Sequence, residues 1–262
     1  MVQGYETASQ AAQASLAEQF RMQQAYASTQ AMLAILAVWG LLNLRDVRSS
    51  WPAVRTGIAA LVRDGFTTAA RDALAYYEQA RIAAGVTEEL PPLAIPELPS
   101  PELLDATLDA TGPYTLLAKV KAAEPVQQAA QSAGVRMSGA ASRLILNGAR
   151  QAVLQSVQED SRAVAWMRVT AGNPCAFCAM LAARGPVYRS ESSAGFSAHN
   201  RCRCSAQAVF SREDAKALRN GPLAQEWQQA TAGYSGKDAL RAWRRYWDAQ
   251  HPSLLSSSSS VA

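Results

Sequence analysis

All four cysteines of this chain fall between positions 175 and 204, as Cys175–Ala176–Phe177–Cys178 and then Cys202–Arg203–Cys204, with His199 just ahead of the second pair. Scattered structural cysteines do not cluster in this way. Two short chelating hooks brought together across a small turn make a tetrahedral site for a soft divalent ion, with zinc the default occupant. In a C-x-x-C hook the two sulfurs converge on one side of a tight turn. In a C-x-C pair on extended backbone, positions i and i+2 project from the same face. Four thiolates at about 2.3 Å would close a structural site. His199 adds a fifth donor, because H-x-x-C also makes a chelating turn. Cys175 and Cys178 are the firmest ligands, Cys202 belongs with them, and the fourth is His199 or Cys204. Bound zinc, reduced thiols packed without metal, and disulfides are the three states open to the cluster.

The rest of the chain favours helices. Its 262 residues are enough for one large domain or two modest ones. Apolar residues make up 49% and aromatics only 7%, with Ala, Gln and Leu dominant, which suits helix over sheet. Charge is unevenly placed: residues 1–100 carry a net −2, residues 101–150 a net +1 and residues 151–262 a net +5. The basic surplus therefore travels with the cysteines and the C-terminus. The most apolar run, Ala31 to Leu42, falls short of the roughly 20 residues needed to span a bilayer. It also lies too far from Met1, and lacks a basic lead-in, to read as a secretory signal. In a chain without an export signal, clustered thiols favour metal over disulfides.

Periodicity divides the chain. Residues 4 to 44 read as one helix whose stripe (Leu16, Phe20, Gln24, Ala27, Met32, Ile35, Leu36, Trp39) broadens toward its end. A second helix is punctuated by Ser50 as cap, Pro52 in the first turn and Gly85 at the end. Its Val54, Ile58, Leu61, Val62, Ala69 and Leu74 should pack on the first helix as a hairpin. Five prolines between Pro91 and Pro101 then forbid regular structure and predict an extended connector. Helices are expected at Pro101–Ala110, Pro113–Ser132 and Ser138–Ala163. Strands are expected at Ala165–Thr170, Val187–Arg189 and Cys204–Phe210, with a short helix Ala176–Arg184 ended by Gly185. Helix returns at 212–219, 222–231 and 236–249, and Ser256–Ser260 reads as a disordered tail.

The fold class is thus mainly α with a small α+β C-terminal part: a helical hairpin and bundle, then a short-stranded cysteine-rich module of zinc-knuckle type. The expected division is a helical hairpin docking region (1–85), a proline-rich linker (86–101) and a helical segment (102–164). A cysteine-rich core (165–211), basic and aromatic C-terminal helices (212–255) and the tail (256–262) follow.

Several chemistries compete for the cysteines. Pro174 to Cys178 is half of a zinc deaminase signature, but that chemistry needs an upstream H-x-E, and no histidine precedes His199. A thioredoxin-like pair needs a βαβ frame, and the residues ahead of this hook are largely helical. A zinc-knuckle reader of nucleic acid is an alternative, given Arg201 and Arg203 beside the ligands. A zinc-tied stabilising knot is the plainest chemical role. No G-x-S-x-G elbow and no H-E-x-x-H occurs, and the only histidines are His199 and His251. A protease would pair a cysteine nucleophile with His199, while a Ser–Lys dyad using Lys119 or Lys121 is conceivable but has no support in the sequence.

The segment AWMRVTAGNPCAFCAMLAARGPVYRS followed by FSAHNRCRC resembles the Mu F-like minor head proteins of tailed phages. The resemblance rests on Cys175, Cys178, Leu181, Gly185, Val187, Tyr188, His199, Cys202 and Cys204, and on the strand Trp166 to Thr170. It covers about 138–210 well and the N-terminal helices only in character. His199–Asn200–Arg201–Cys202 departs from the usual H-P-x-C, which makes that turn less rigid. The resemblance implies a structural head protein, associated with portal or capsid proteins, working in head assembly or in DNA packaging and ejection. It implies a place in the host cytoplasm during assembly and then inside the virion head. Similar proteins are often labelled capsid maturation proteases, which is the alternative activity.

The helix expected at 236–249 mixes cations and aromatics. Leu240, Trp243 and Trp247 share one face, while Lys237, Arg241, Arg244 and Arg245 occupy the rest. A core-facing aromatic stripe with a solvated basic back is the plain reading. With Arg201 and Arg203, those cations are also candidates for contact with packaged DNA or with an acidic face of the portal.

Overall fold

Three long helices pack against one another to make the frame: α1 (Ala8–Trp39), α2 (Val47–Ala83) and α5 (Val126–Glu159). They belong to a computed structural model that describes residues 8–170, 172–187, 196 and 198–251. The hairpin of α1 and α2 forms as the stripes require, with Phe20 stacked on Tyr76 at 4.3 Å between ring centres. Phe20, Gln24, Ile35 and Trp39 of the expected α1 stripe are buried. Helix α1 ends at Trp39, short of residue 44, where Gly40 opens a turn, and residues 1–7 lie outside the described residues.

Helix α2 starts earlier than Ser50. Asp46 is the cap, its side chain accepting from the Ser49 amide at 3.1 Å, which leaves Pro52 inside the helix. Pro52 lacks the amide hydrogen that would bond the Arg48 carbonyl and crowds that carbonyl with its ring, a local cost that does not end the helix. Gly85 follows the last turn as expected, with φ +75°.

Residues 86–100 hold no regular structure. They are fastened by Arg81, whose guanidinium donates to the Glu88 and Glu89 carbonyls and, at 2.9 Å, to Asp160. Leu90 and Leu93 pack on the main core. Helices α3 (Pro101–Thr111) and α4 (Pro113–Lys121) follow. The next break falls at 122–125, with Ala123 at φ +66° and Pro125 as cap, instead of at 133–137. Gly134 does not interrupt α5 because its task is packing. A Cβ there would lie 2.6 Å from Cδ1 of Trp39, whose indole donates to the Ala130 carbonyl at 3.0 Å.

After α5 the chain forms an antiparallel two-stranded ribbon, β1 (Ala165–Val169) with β2 (Ser205–Val209), in register from Ala165↔Val209 to Val169↔Ser205. The cysteine-rich segment is the long excursion between the strands, and α6 (Ala176–Ala183) is its helix. Val187 is not in a strand, and Tyr188 and Arg189 lie outside the described residues. One hydrophobic core draws on α1 to α5 and both strands. A smaller one joins α6 to the C-terminal helices α8 (Pro222–Ala230) and α9 (Gly236–Gln250), and α7 (Arg212–Arg219) leads into that pair. These three helices match the expected spans. The serine tail lies outside the described residues. The fold is mainly helical, with a small two-stranded sheet and a cysteine cluster in its C-terminal part.

Candidate metal centre

Cys175 caps α6, its sulfur accepting from the Cys178 amide at 3.5 Å, so the first hook is a helix N-terminus. The second hook is a turn, with the Cys202 amide bonded to the His199 carbonyl at 3.1 Å. Arg201 takes φ +64° inside that turn, and its amide donates to the Gly139 carbonyl of α5, which pins the turn to the frame. Cys204 then feeds directly into β2. Helix, turn and strand thereby converge on one point.

All five predicted donors meet there. They form two groups that share Cys178: Cys175, Cys178 and His199, and Cys178, Cys202 and Cys204, each with its ligand atoms mutually within 4.8 Å. The Cys178 and Cys202 sulfurs are 3.6 Å apart, and His199 Nε2 lies 3.0 Å from the Cys175 sulfur and 3.7 Å from that of Cys178. A tetrahedral ion with sulfurs at about 2.3 Å separates them by about 3.8 Å, so the donors suit a metal ion. No disulfide joins the cysteines, and among the four of them only Cys175 is exposed. His199 Nδ1 donates to the Asn200 carbonyl at 2.7 Å, which turns Nε2 toward the sulfurs. A second ring contact of this kind is how ligating histidines are oriented.

The cluster behaves electrostatically as one unit. Cys178 donates toward its neighbours and its thiol is pushed far up by Cys175 first, then by Cys202 and Cys204. Cys202 is pushed far down by hydrogen bonds with Cys178 and Cys204, helped by the Arg150 charge. Cys175 is lowered to about 5, chiefly by the Cys178 thiol, with the Cys178 amide and His199 adding to it against burial. For His199, burial is the largest influence and works downward, but the Asn200 carbonyl and the Cys175 and Cys202 thiolates together raise it.

Two residues that spacing did not single out complete the site. Arg150 on α5 and Arg168 on β1 are each only 2% exposed. Arg150 donates to the Cys202 carbonyl at 2.7 Å and to the Cys204 carbonyl at 3.1 Å. Nη1 of Arg168 lies 3.7 Å from the Cys178 sulfur and 3.9 Å from that of Cys202. Both guanidiniums face the Phe196 ring, at 4.8 and 3.8 Å, and Trp166 stacks near the same ring. Burial lowers Arg150 to about 10, and the cysteines pull it back upward. Trp166 and Arg168 sit two apart in a strand, so a shared face was the one signal available. Arg150 lies in a helix with no such cue.

The site opens on a groove of about 550 Å³ between α1 and the cysteine segment, lined in part by Tyr26, Cys175, His199, Arg201 and Arg203. Arg201 and Arg203 are exposed, with side chains resting on Val135 and Thr29. Lys237, Arg241, Arg244 and Arg245 are exposed on α9, away from its buried aromatic face. That face consists of Ala239, Ala242, Trp243 and Trp247. Leu240 is 45% exposed and does not belong to it, because the helix turns its small alanines inward. Trp243 and Trp247 donate to the carbonyls of Ala176 and Pro174, at 2.7 and 2.9 Å, clasping the first hook. No helix among the described residues is long and apolar enough to cross a membrane.

No curated protein and no solved structure matches the chain. The model of the VG15 protein family does match it, over residues 11–232, a span that takes in the helical frame, the ribbon and the whole cysteine cluster. The chain therefore belongs to the VG15 protein family and is a phage protein.

Proposed function

We propose that this protein is a minor structural component of a tailed-phage head, associated with the portal or capsid proteins and held together by zinc. The observation that carries this reading is the placement of the cysteine cluster. Three of its four sulfurs are buried where α5, α6 and the ribbon meet, as a cross-link would be. Four protein ligands at such a point would close the coordination shell and make the site a structural one, whereas catalytic zinc sites keep an open position. Family membership supplies the phage setting, and the Mu F-like motif supports the head. The place of action is then the host cytoplasm during assembly and the head interior afterwards. Packaged DNA is a further partner in this reading, through Arg201, Arg203, Lys237, Arg241, Arg244 and Arg245.

The experiment is cross-linking in assembling heads, followed by mass spectrometry. The expected result is a few copies joined to portal or capsid subunits. Recovery of the protein only outside heads, with no head protein attached, contradicts the proposal.

One observation favours a second reading, the capsid maturation protease. Cys175 and His199 are both exposed on the groove with sulfur and Nε2 3.0 Å apart, and the Asn200 carbonyl orients the imidazole. That is the outline of a nucleophile and its base. Incubating purified protein with unprocessed capsid subunits and following their mass separates the readings. Specific cleavage that disappears in a folded His199→Gln variant would replace the structural role with the protease.

A further inference from the structure

We propose that Cys178, Cys202 and Cys204 all ligate the metal and that Arg168, backed by Arg150, holds the negative charge of the resulting metal–thiolate centre. The inference rests on the metal-binding reading above and makes Cys204 a ligand, where spacing leaves His199 and Cys204 as alternatives. These three sulfurs form one mutually close group and belong to residues only 1%, 2% and 5% exposed. Cys175 and His199 are exposed, so they form the rim from which the remaining ligand comes.

Charge makes the same point independently. A divalent ion with three thiolates is net negative, and more so with a fourth. Burying such a centre is costly unless cations and hydrogen bonds accompany it. Two guanidiniums lie beneath these sulfurs. Arginine keeps its charge even when buried, so its positive charge needs an anion nearby. The hydrogen-bond partners of Arg150 are neutral oxygens, the Cys202 and Cys204 carbonyls and the Asn147 side chain. For Arg150, the thiolates are the anions at hand among the described residues. Arg150 grips the backbone of both residues of the C-x-C hook, which fixes where their sulfurs point. Arg168 approaches two of the three sulfurs directly. Phe196 underlies both planes and holds their orientation. Both arginines are positioning residues for the centre.

The test loads the reduced full-length protein with cobalt(II) as a spectroscopic stand-in and measures zinc affinity by competition. Wild type should show tetrahedral bands with sulfur-to-cobalt charge transfer from at least three thiolates. Cys204→Ser should lose one thiolate's share of that intensity. Arg168→Met should weaken zinc binding about 10- to 100-fold, the usual cost of losing a partner behind the ligands, and Arg168→Lys should recover part of it. Circular dichroism checks that each variant is folded. Full charge-transfer intensity in Cys204→Ser overturns the ligand assignment, and it decides the matter even if Arg168→Met does not fold. Wild-type zinc affinity in a folded Arg168→Met overturns the role of the arginine. A wild type that binds neither ion removes the metal-binding reading itself, an outcome distinct from either of these.

Discussion

The indole of Trp247 donates to the Pro174 carbonyl at 2.9 Å, so the C-terminal helix α9 is tied to the residue just before the first cysteine hook. Trp243 makes the same kind of bond one residue past Cys175. The smaller hydrophobic core forms between α6, α8 and α9, separate from the main core. The hook and the C-terminal helices should therefore stand or fall together.

Chelating the metal is expected to loosen α8 and α9 along with residues 172–187, because metal binding and local folding are linked. Hydrogen exchange should rise in α9 while α2 and α5 keep their protection. Unchanged exchange in α9 after metal removal would show that its docking does not depend on the hook. Trp247→Phe keeps the ring and loses only the hydrogen bond, which should cost about 1 kcal/mol.

Gly134 offers a sharper test of packing against propensity. An alanine in mid-helix is worth about 1 kcal/mol over glycine. Here its Cβ would collide with the Trp39 indole at 2.6 Å. Gly134→Ala should therefore destabilise the protein by about 1–3 kcal/mol, the usual cost of overpacking. Denaturant unfolding measures it, and a stabilised variant contradicts the close approach of α1 and α5.

Asp160 is 2% exposed and holds Arg81 at 2.9 Å and the Tyr77 hydroxyl at 3.0 Å. Asp160→Asn leaves a buried guanidinium without its counter-charge and should cost about 3–5 kcal/mol. Arg81 also holds the Glu88 and Glu89 carbonyls. Arg81→Ala should thus make residues 86–100 cleave faster in limited proteolysis than in the wild type. Equal cleavage rates would mean that the connector is held by something else.

Much of this architecture is legible in the sequence where local chemistry decides it. The spans of the C-terminal helices follow from Ser211, whose hydroxyl caps α7, and from Pro222 at the start of α8. The ribbon is legible at β1 from Trp166 and Val169, whereas β2, Ser205–Val209, holds one β-branched residue and is fixed by its pairing with β1. Errors arise where a partner far along the chain decides. The break expected between Ser132 and Ser138 contains Gly134, yet Trp39 from α1 makes that residue a contact point inside α5. Ser50 reads as a cap, but Asp46 takes that place and Ser50 instead accepts from the Asn43 amide. In the site, the five donors are legible because short spacing itself dictates chelation. Arg150 has no such cue in its helix, and for Arg168 the only one is the strand face it shares with Trp166, which does not mark it as buried until the sulfurs and Phe196 are folded onto it.

The claim that the cysteine cluster is a zinc centre is tested most directly by elemental analysis of the native protein, purified under reducing conditions without added metal. About one zinc per chain is expected, retained through gel filtration and lost in Cys178→Ser, since the Cys178 sulfur is shared by both donor groups. Native protein that is folded, reduced and free of zinc would contradict it.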